Sequence, residues 1–236
     1  MKKKIVVSFS GGKDSILALY RLQKSEEWEI DSLLTTLTED YERTTMHGVR
    51  NELLELQAKS LGLPLRAVWI PKNCSNDLYQ QRMEKAVDDI KADGIQYIMF
   101  GDIFLEDVKK YRENMLDGTG ITPIFPIWGE SSEQIMDEFL SEEFRTVVCC
   151  SDTLKIDSSF TGRVIDEQFI EDYPKKHDIC GENGEFHTFV FDGPNFSFPV
   201  TYTLGETRMV KDMFTNEDRF YYVDILPKGE QNKNLE

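Results

Sequence analysis

No apolar run in the chain approaches the about 20 residues that a membrane-spanning helix requires; the lysines after Met1 lead into a short apolar stretch that Gly11 and Gly12 break. The expected location is therefore the cytoplasm, with no membrane partner. Cysteine is scarce: Cys74, Cys149, Cys150 and Cys180 show no CxxC spacing, which argues against a disulfide scaffold and against a zinc site. Histidine is scarcer still, at His47, His177 and His187, and implies no metal cluster. Positive charge is in deficit, with 27 Lys and Arg against 43 Asp and Glu and a net charge of -16. A surface of that sign repels nucleic acid and anionic membranes, so a nucleic-acid partner is not expected and at most a local basic groove is left open. Internal repeats and low-complexity linkers are also absent.

What remains is an ordinary globular composition, 40% hydrophobic over 236 residues, enough for a sizeable core and one to two domains. Ile5 to Phe9 is a short strand-like run, followed by Ser-Gly-Gly and then by Ile16, Leu19 and Leu22 at helical spacing. The same alternation repeats. Strands are expected at Ile30 to Leu37, Leu65 to Ile70 and Ile95 to Phe100. Helical faces lie between them at Val49, Leu53 and Leu56, closed by Gly62 and Pro64, and at Leu78 through Ile90, closed by Gly94. Crossovers of that length imply parallel pairing, hence an α/β fold with a Rossmann-like parallel sheet. Ser131 and Gln134 form a capping box that opens a helix through Phe139, and Thr146 to Cys149 is expected as a last short strand of this domain. Beyond residue 151 the texture changes to short strands at Phe189 to Phe191, Val200 to Leu204, Arg208 to Lys211 and Phe220 to Ile225. The division expected is a first domain over 1–150, a smaller mixed α+β domain over 151–228, and a polar tail over 229–236.

The turn after the first strand, Ser10-Gly11-Gly12-Lys13-Asp14-Ser15, has the parts of a phosphate site. Two glycines let backbone approach an anion, a helix start aims unpaired amides at it, and two hydroxyls and an ammonium surround it. It is neither GxxxxGK[ST] nor GxGxxG. Gly101-Asp102, at the end of the fourth expected strand, falls on the same rim, where open α/β sheets bind ligands. Asp14 either coordinates Mg²⁺ or holds the loop through backbone amides. Asp102 serves metal or substrate, or else caps the next helix. Cys149 and Cys150 sit in an apolar strand and are expected to be buried, whereas Cys180, beside the Gly181 to Glu185 loop, is better placed for chemistry.

Ser-Gly-Gly-x-Asp-Ser after a first strand resembles the signature of the PP-loop ATPases of the adenine nucleotide α-hydrolase group. More of the chain resembles one branch, the diphthine–ammonia ligase (diphthamide synthetase) family. The matching pieces are Met46-His47, Gln57-Ala58 with Leu61 to Pro64, Gly101-Asp102-Ile103 with Arg112-Glu113-Asn114, Pro126-Ile127-Trp128, Gly162-Arg163 with Asp166, and Gly181 to Thr188. The resemblance implies ATP and Mg²⁺ as cofactors, adenylation of a substrate carboxylate with release of pyrophosphate, and amidation by ammonia. It implies catalytic roles for Lys13, Asp14, Asp102, Glu182 and Glu185, and nucleotide contacts from residues 10 to 15, His47 and Gly101. It implies acceptor contacts from Glu113, Gly162, Asp166, Asn183, Gly184, His187 and Thr188, with Glu182 and Glu185 facing substrate or ammonium. The chain departs from the family's Glu-Gly-Gly-Glu-Tyr-Glu-Thr segment, with Asn183 in place of a glycine and His187 in place of a glutamate. Partners expected are ATP, ammonium and a carboxylate-bearing acceptor, and self-association is compatible with the sequence. Two other readings stay open: a tRNA-thiolating PP-loop enzyme working through Cys180, and an ATP-binding module without chemistry.

Overall fold

The computed structural model describes residues 2–45, 47–212 and 215–228; Met46, one carrier of the resemblance, and the tail 229–236 lie outside the described residues. Strand β1 (Lys3–Ser8) runs into helix α1 (Lys13–Lys24), and β2 (Trp28–Thr38) pairs with β1 in parallel. After a two-residue β3 (Arg43–Thr44) and α2 (Asn51–Leu61), β4 (Leu65–Ile70) adds to the far edge of β2. Helix α3 (Asn76–Ala92) then carries the chain back across to β5 (Tyr97–Met99), which pairs with the free edge of β1. Helix α4 (Glu106–Leu116) leads on to β6 (Thr122–Ile124) beside β5. The parallel order is thus β4-β2-β1-β5-β6, and β3 pairs antiparallel with the end of β2. The chain winds outward from β1 first on one side and then on the other. The carboxyl ends of β1 and β5 therefore mark a topological switch point, the place where open α/β sheets bind ligands.

Alternation along β1 divides the core. Val6 joins Leu34, Val68, Val87 and Ile90 under α3, whereas Ile5 and Val7 face α1 and α2 on the other side. That second face is also covered by α5 (Ser132–Ser141), whose capping box at Ser131 and Gln134 is formed as expected. A second sheet closes over it. Its strands β7 (Arg145–Asp152), β8 (Phe186–Asp192), β9 (Tyr202–Lys211) and β10 (Asp218–Pro227) are antiparallel in the order β8-β7-β10-β9. A short helix, α6 (Glu167–Asp172), lies between β7 and β8.

Two expectations need correction here. The strand expected at Thr146 to Cys149 exists, but it is β7 of the antiparallel sheet and does not extend the parallel one, so position 150 lies inside a strand. Seven of its eight residues are buried, and an apolar run of that kind reads alike in either sheet. The strands expected separately at Val200 to Leu204 and Arg208 to Lys211 are one strand, β9. Gly205 and Glu206 do not turn the chain: Leu204 pairs with Ile225 and Thr207 with Val223, three steps against two, which is a bulge.

The two sheets are tied by polar contacts as well as by the shared core. Asp224 on β10 accepts from Arg43 at 2.8 and 3.0 Å and from Arg50 at 3.1 and 2.7 Å, so it anchors both ends of the segment that carries His47. Gln57 on α2 is fully buried and donates through Nε2 to the carbonyls of Gly11 (2.9 Å) and Val190 (2.6 Å). Val190 in turn donates its amide to Gly11 at 3.0 Å. Replacing Gln57 by leucine keeps the volume but removes the donor from two buried carbonyls. We expect a loss of about 1–3 kcal/mol, read as a lower midpoint of denaturant unfolding with an unchanged slope.

Candidate active site

Geometry at the first turn follows from its glycines. Gly11 has φ +76°, and Gly12 is the N-cap of α1, with the first-turn amides of the helix pointing into the loop. Ser10 Oγ accepts from the Gly12 amide at 3.2 Å and lies 3.2 Å from Ser15 Oγ, which donates to the Gly12 carbonyl. Lys13 donates its amide to Thr188 Oγ1 at 3.0 Å, so β8 of the second sheet is stitched to the start of α1. A Cβ on Gly101 would meet the backbone of Asp14 and Ser15 at 3.0 Å. The loop after β5 thus lies directly against the loop after β1, at the switch point.

Lys13 is only 2% exposed, and its ammonium pairs with Asp14. Burial works against that charge, but Asp14 and, more weakly, Glu182 keep it firmly protonated, above the usual lysine range. Asp14 holds the lysine rather than backbone amides. Glu182 comes from the Gly181 to Glu185 loop, and its Oε1 accepts from the Ile103 amide at 2.9 Å. Burial, then Asp14, push its carboxyl up to about 7, with a smaller push from Asp102. Burial also raises Asp102, partly offset by Arg112. Asp102 does not cap α4, whose N-cap is Leu105 without a side-chain bond.

His47 and His187 meet ring to ring, with centroids 4.5 Å apart. His47 Nδ1 lies 3.2 Å from the Thr188 carbonyl, which can only accept, so Nδ1 carries the proton and Nε2 keeps its lone pair. Burial lowers the His47 pKa, and burial together with His47 and Lys13 holds His187 well below the ordinary value, so both rings are neutral near pH 7.

The other expected residues have partners of their own or are exposed. Glu185 is 2% exposed and accepts from the Asp178 amide at 3.3 Å within its own loop, with His177 Nδ1 at 3.9 Å. Asn183 offers its carbonyl to Lys155, and Gly184 donates its amide to Gly181 at 2.9 Å. Asp166 is spent as the N-cap of α6, accepting from the Phe169 amide at 2.8 Å, and Gly162 donates its amide to Val148 at 2.8 Å. Glu113 is exposed on α4. Cys149, Cys150 and Cys180 are buried, as expected for the first two. Cys180 donates to the Ser132 carbonyl, and burial pushes its thiol up to about 12, which counts against a nucleophilic role. Gln57, which braces the loop from behind, carried a signal as the one amide side chain on the buried face of α2. Among the described residues no group of three or more His, Cys, Asp and Glu is arranged to hold a metal. No helix among them is long and apolar enough to cross a membrane.

A parallel sheet that switches direction at β1, with a doubled-glycine loop and a helix start at the switch, is the α/β architecture of the adenine nucleotide α-hydrolase type. The smaller antiparallel sheet completes it. Residues 3–123 match the family model described as the diphthamide synthase N-terminal domain, and residues 131–216 match the diphthamide synthase C-terminal domain. The chain belongs to the diphthamide synthase family. Similar proteins include the diphthine–ammonia ligases of Bos taurus and Homo sapiens, each 24% identical over 86% of this chain and 84% of their own. The diphthine–ammonia ligase of Saccharomyces cerevisiae is 23% identical over 82% of this chain and 33% of its own.

Proposed function

We propose that the protein is an ATP-dependent ligase that adenylates a substrate carboxylate and amidates it with ammonia; the relatives' name, diphthine–ammonia ligase, describes the joining of diphthine and ammonia. The observation that carries this reading is that the segment after β5 packs Gly101 against the backbone of the doubled-glycine loop and holds Glu182 through the Ile103 amide, at the switch point. A carboxylate oxygen attacks the α-phosphorus of ATP and pyrophosphate leaves; ammonia then attacks the acyl carbon and AMP leaves. The residues suit each demand. First-turn amides of α1, the hydroxyls of Ser10 and Ser15 and the Lys13 ammonium spread the charge of the departing pyrophosphate. Glu182, poised near neutrality, takes the proton that ammonium must lose before it can attack. His47 Nε2, a neutral acceptor beside Gly12, suits a donor group of the nucleotide.

Asp14 is the one carboxylate of the glycine loop, and that fits Mg²⁺ brought in on the nucleotide rather than held in a protein cage. Such an ion would add charge neutralisation to the phosphates. Diphthine is the acceptor that the relatives' name suggests. With ATP, ammonium chloride and diphthine-bearing elongation factor 2 supplied together, the expected products are AMP, pyrophosphate and an amide. Formation of ADP and phosphate instead would exclude adenylation, and product from other carboxylates alone would move the chain to a different acceptor.

A further inference from the structure

The residues that bind the acceptor can be sought among side chains near the switch point that have unused hydrogen-bonding capacity. Arg112, on α4, makes no hydrogen bond to any described residue, and its Nε is buried without a partner. Its nearest carboxylate oxygen, Asp102 Oδ2, is 3.8 Å from Nε, beyond hydrogen-bond range, and that oxygen is itself buried without a partner. What fixes the guanidinium is a ring: its carbon lies 5.1 Å from the centroid of Phe100. One turn earlier on the same helix, Lys109 stands 4.4 Å above Trp128 and 5.4 Å above Phe125. It has no carboxylate partner among the described residues. Phe100 stacks on Phe125 at 5.7 Å, and Phe125 meets Trp128 edge-on, so the two cations share one aromatic floor.

Phe100 follows β5, the strand next to β1, and Phe125 to Trp128 follow β6 on its outer side, so this floor continues the rim that holds the glycine loop. Two cations without hydrogen-bonded partners, in a chain of net charge -16, form a local basic spot beside the acidic group of Asp14, Asp102 and Glu182. A long ion pair with donors to spare suits an incoming anion, and a planar fork over an aromatic ring suits a carboxylate best.

We propose that Lys109 and Arg112, seated on Phe100, Phe125 and Trp128, bind the carboxylate group of the acceptor. This rests on the ligase reading for the identity of the ligand, but the site can be tested without turnover. The probe is acetate, a bare carboxylate, titrated into the full chain with AMP present. The readouts are the Arg112 Nε–H and Trp128 indole N–H resonances. Acetate is expected to shift both saturably, whereas chloride at equal ionic strength shifts neither. Arg112→Gln should weaken the acetate response at Trp128 by about tenfold, and Lys109→Gln by less. Equal shifts from chloride and acetate would overturn the proposal. So would saturation of the Arg112 shift by AMP alone, which would make it a ligand of the nucleotide phosphate. If acetate binds but added pyrophosphate leaves the Gly11 and Gly12 amides unmoved, the ligase reading falls and the carboxylate site stands.

Discussion

Lys13→Ala lowers release of AMP and pyrophosphate by about 10²–10³-fold, the loss that follows removal of one preorganised electrostatic contact to a developing charge. Lys13 is held in one place by burial and by Asp14, so its ammonium needs no reorganisation when the pyrophosphate departs. Alanine is a strong helix former and suits the first turn of α1, so the far-ultraviolet circular dichroism is expected to be unchanged. A second effect separates this loss from a merely weaker grip on ATP. The Lys13 charge lowers the Glu182 pKa, so its removal should move the remaining pH dependence upward from about 7. Turnover within threefold of wild type, measured by pyrophosphate release, would remove the phosphate role from the loop.

The other large effect concerns Glu182. If the deprotonated form accepts the proton of ammonium, the rate relative to Glu182→Gln should fall about tenfold for each pH unit below 7 and level off above it. Free ammonia also grows with pH. The comparison is therefore between the two proteins at the same total ammonium, where that supply cancels. At the plateau the variant is expected to be slower by about 10²-fold or more. A constant ratio between pH 5.5 and 8, measured by amide formation, would sink the assignment.

Stability runs the opposite way. The carboxyl rises from its ordinary 4.5 to about 7 on folding, so the folded chain takes up a proton. Its contribution to stability is complete below pH 4.5 and is lost as pH climbs through 7. Glu182→Gln is therefore expected to melt higher than wild type at pH 8, a stability gain at the expense of activity.

The alternation of β1, α1, β2, α2, β4 and α3 was legible in the sequence because each element has its own period and its own stop signal, such as the left-handed Gly62 at the end of α2. The sheet to which β7 belongs was not, because Val147 to Cys150 are buried on both faces and burial carries no direction. Gly205 misled for a related reason, since a glycine between two apolar runs marks a turn or a bulge and only the partner strand decides.

At the site, residues 10 to 15 could be read locally, because the loop makes its own geometry. Glu182 could be placed near it only by resemblance, and its raised pKa depends on burial and then on Asp14 and Asp102, 168 and 80 positions away in the chain. Arg112 was visible as a motif residue, but its unused donors appear only once Phe100 lies beneath it.

The four bonds from Asp224 to Arg43 and Arg50 set an order on synthesis. The segment bearing His47 is made early, but the carboxylate that fixes its ends lies near the other end of the described chain. While the ribosome still holds that stretch, the nascent amino-terminal sheet carries a loose imidazole arm. The ion pairs that fix the two ends of that arm form only when one of the last strands has docked.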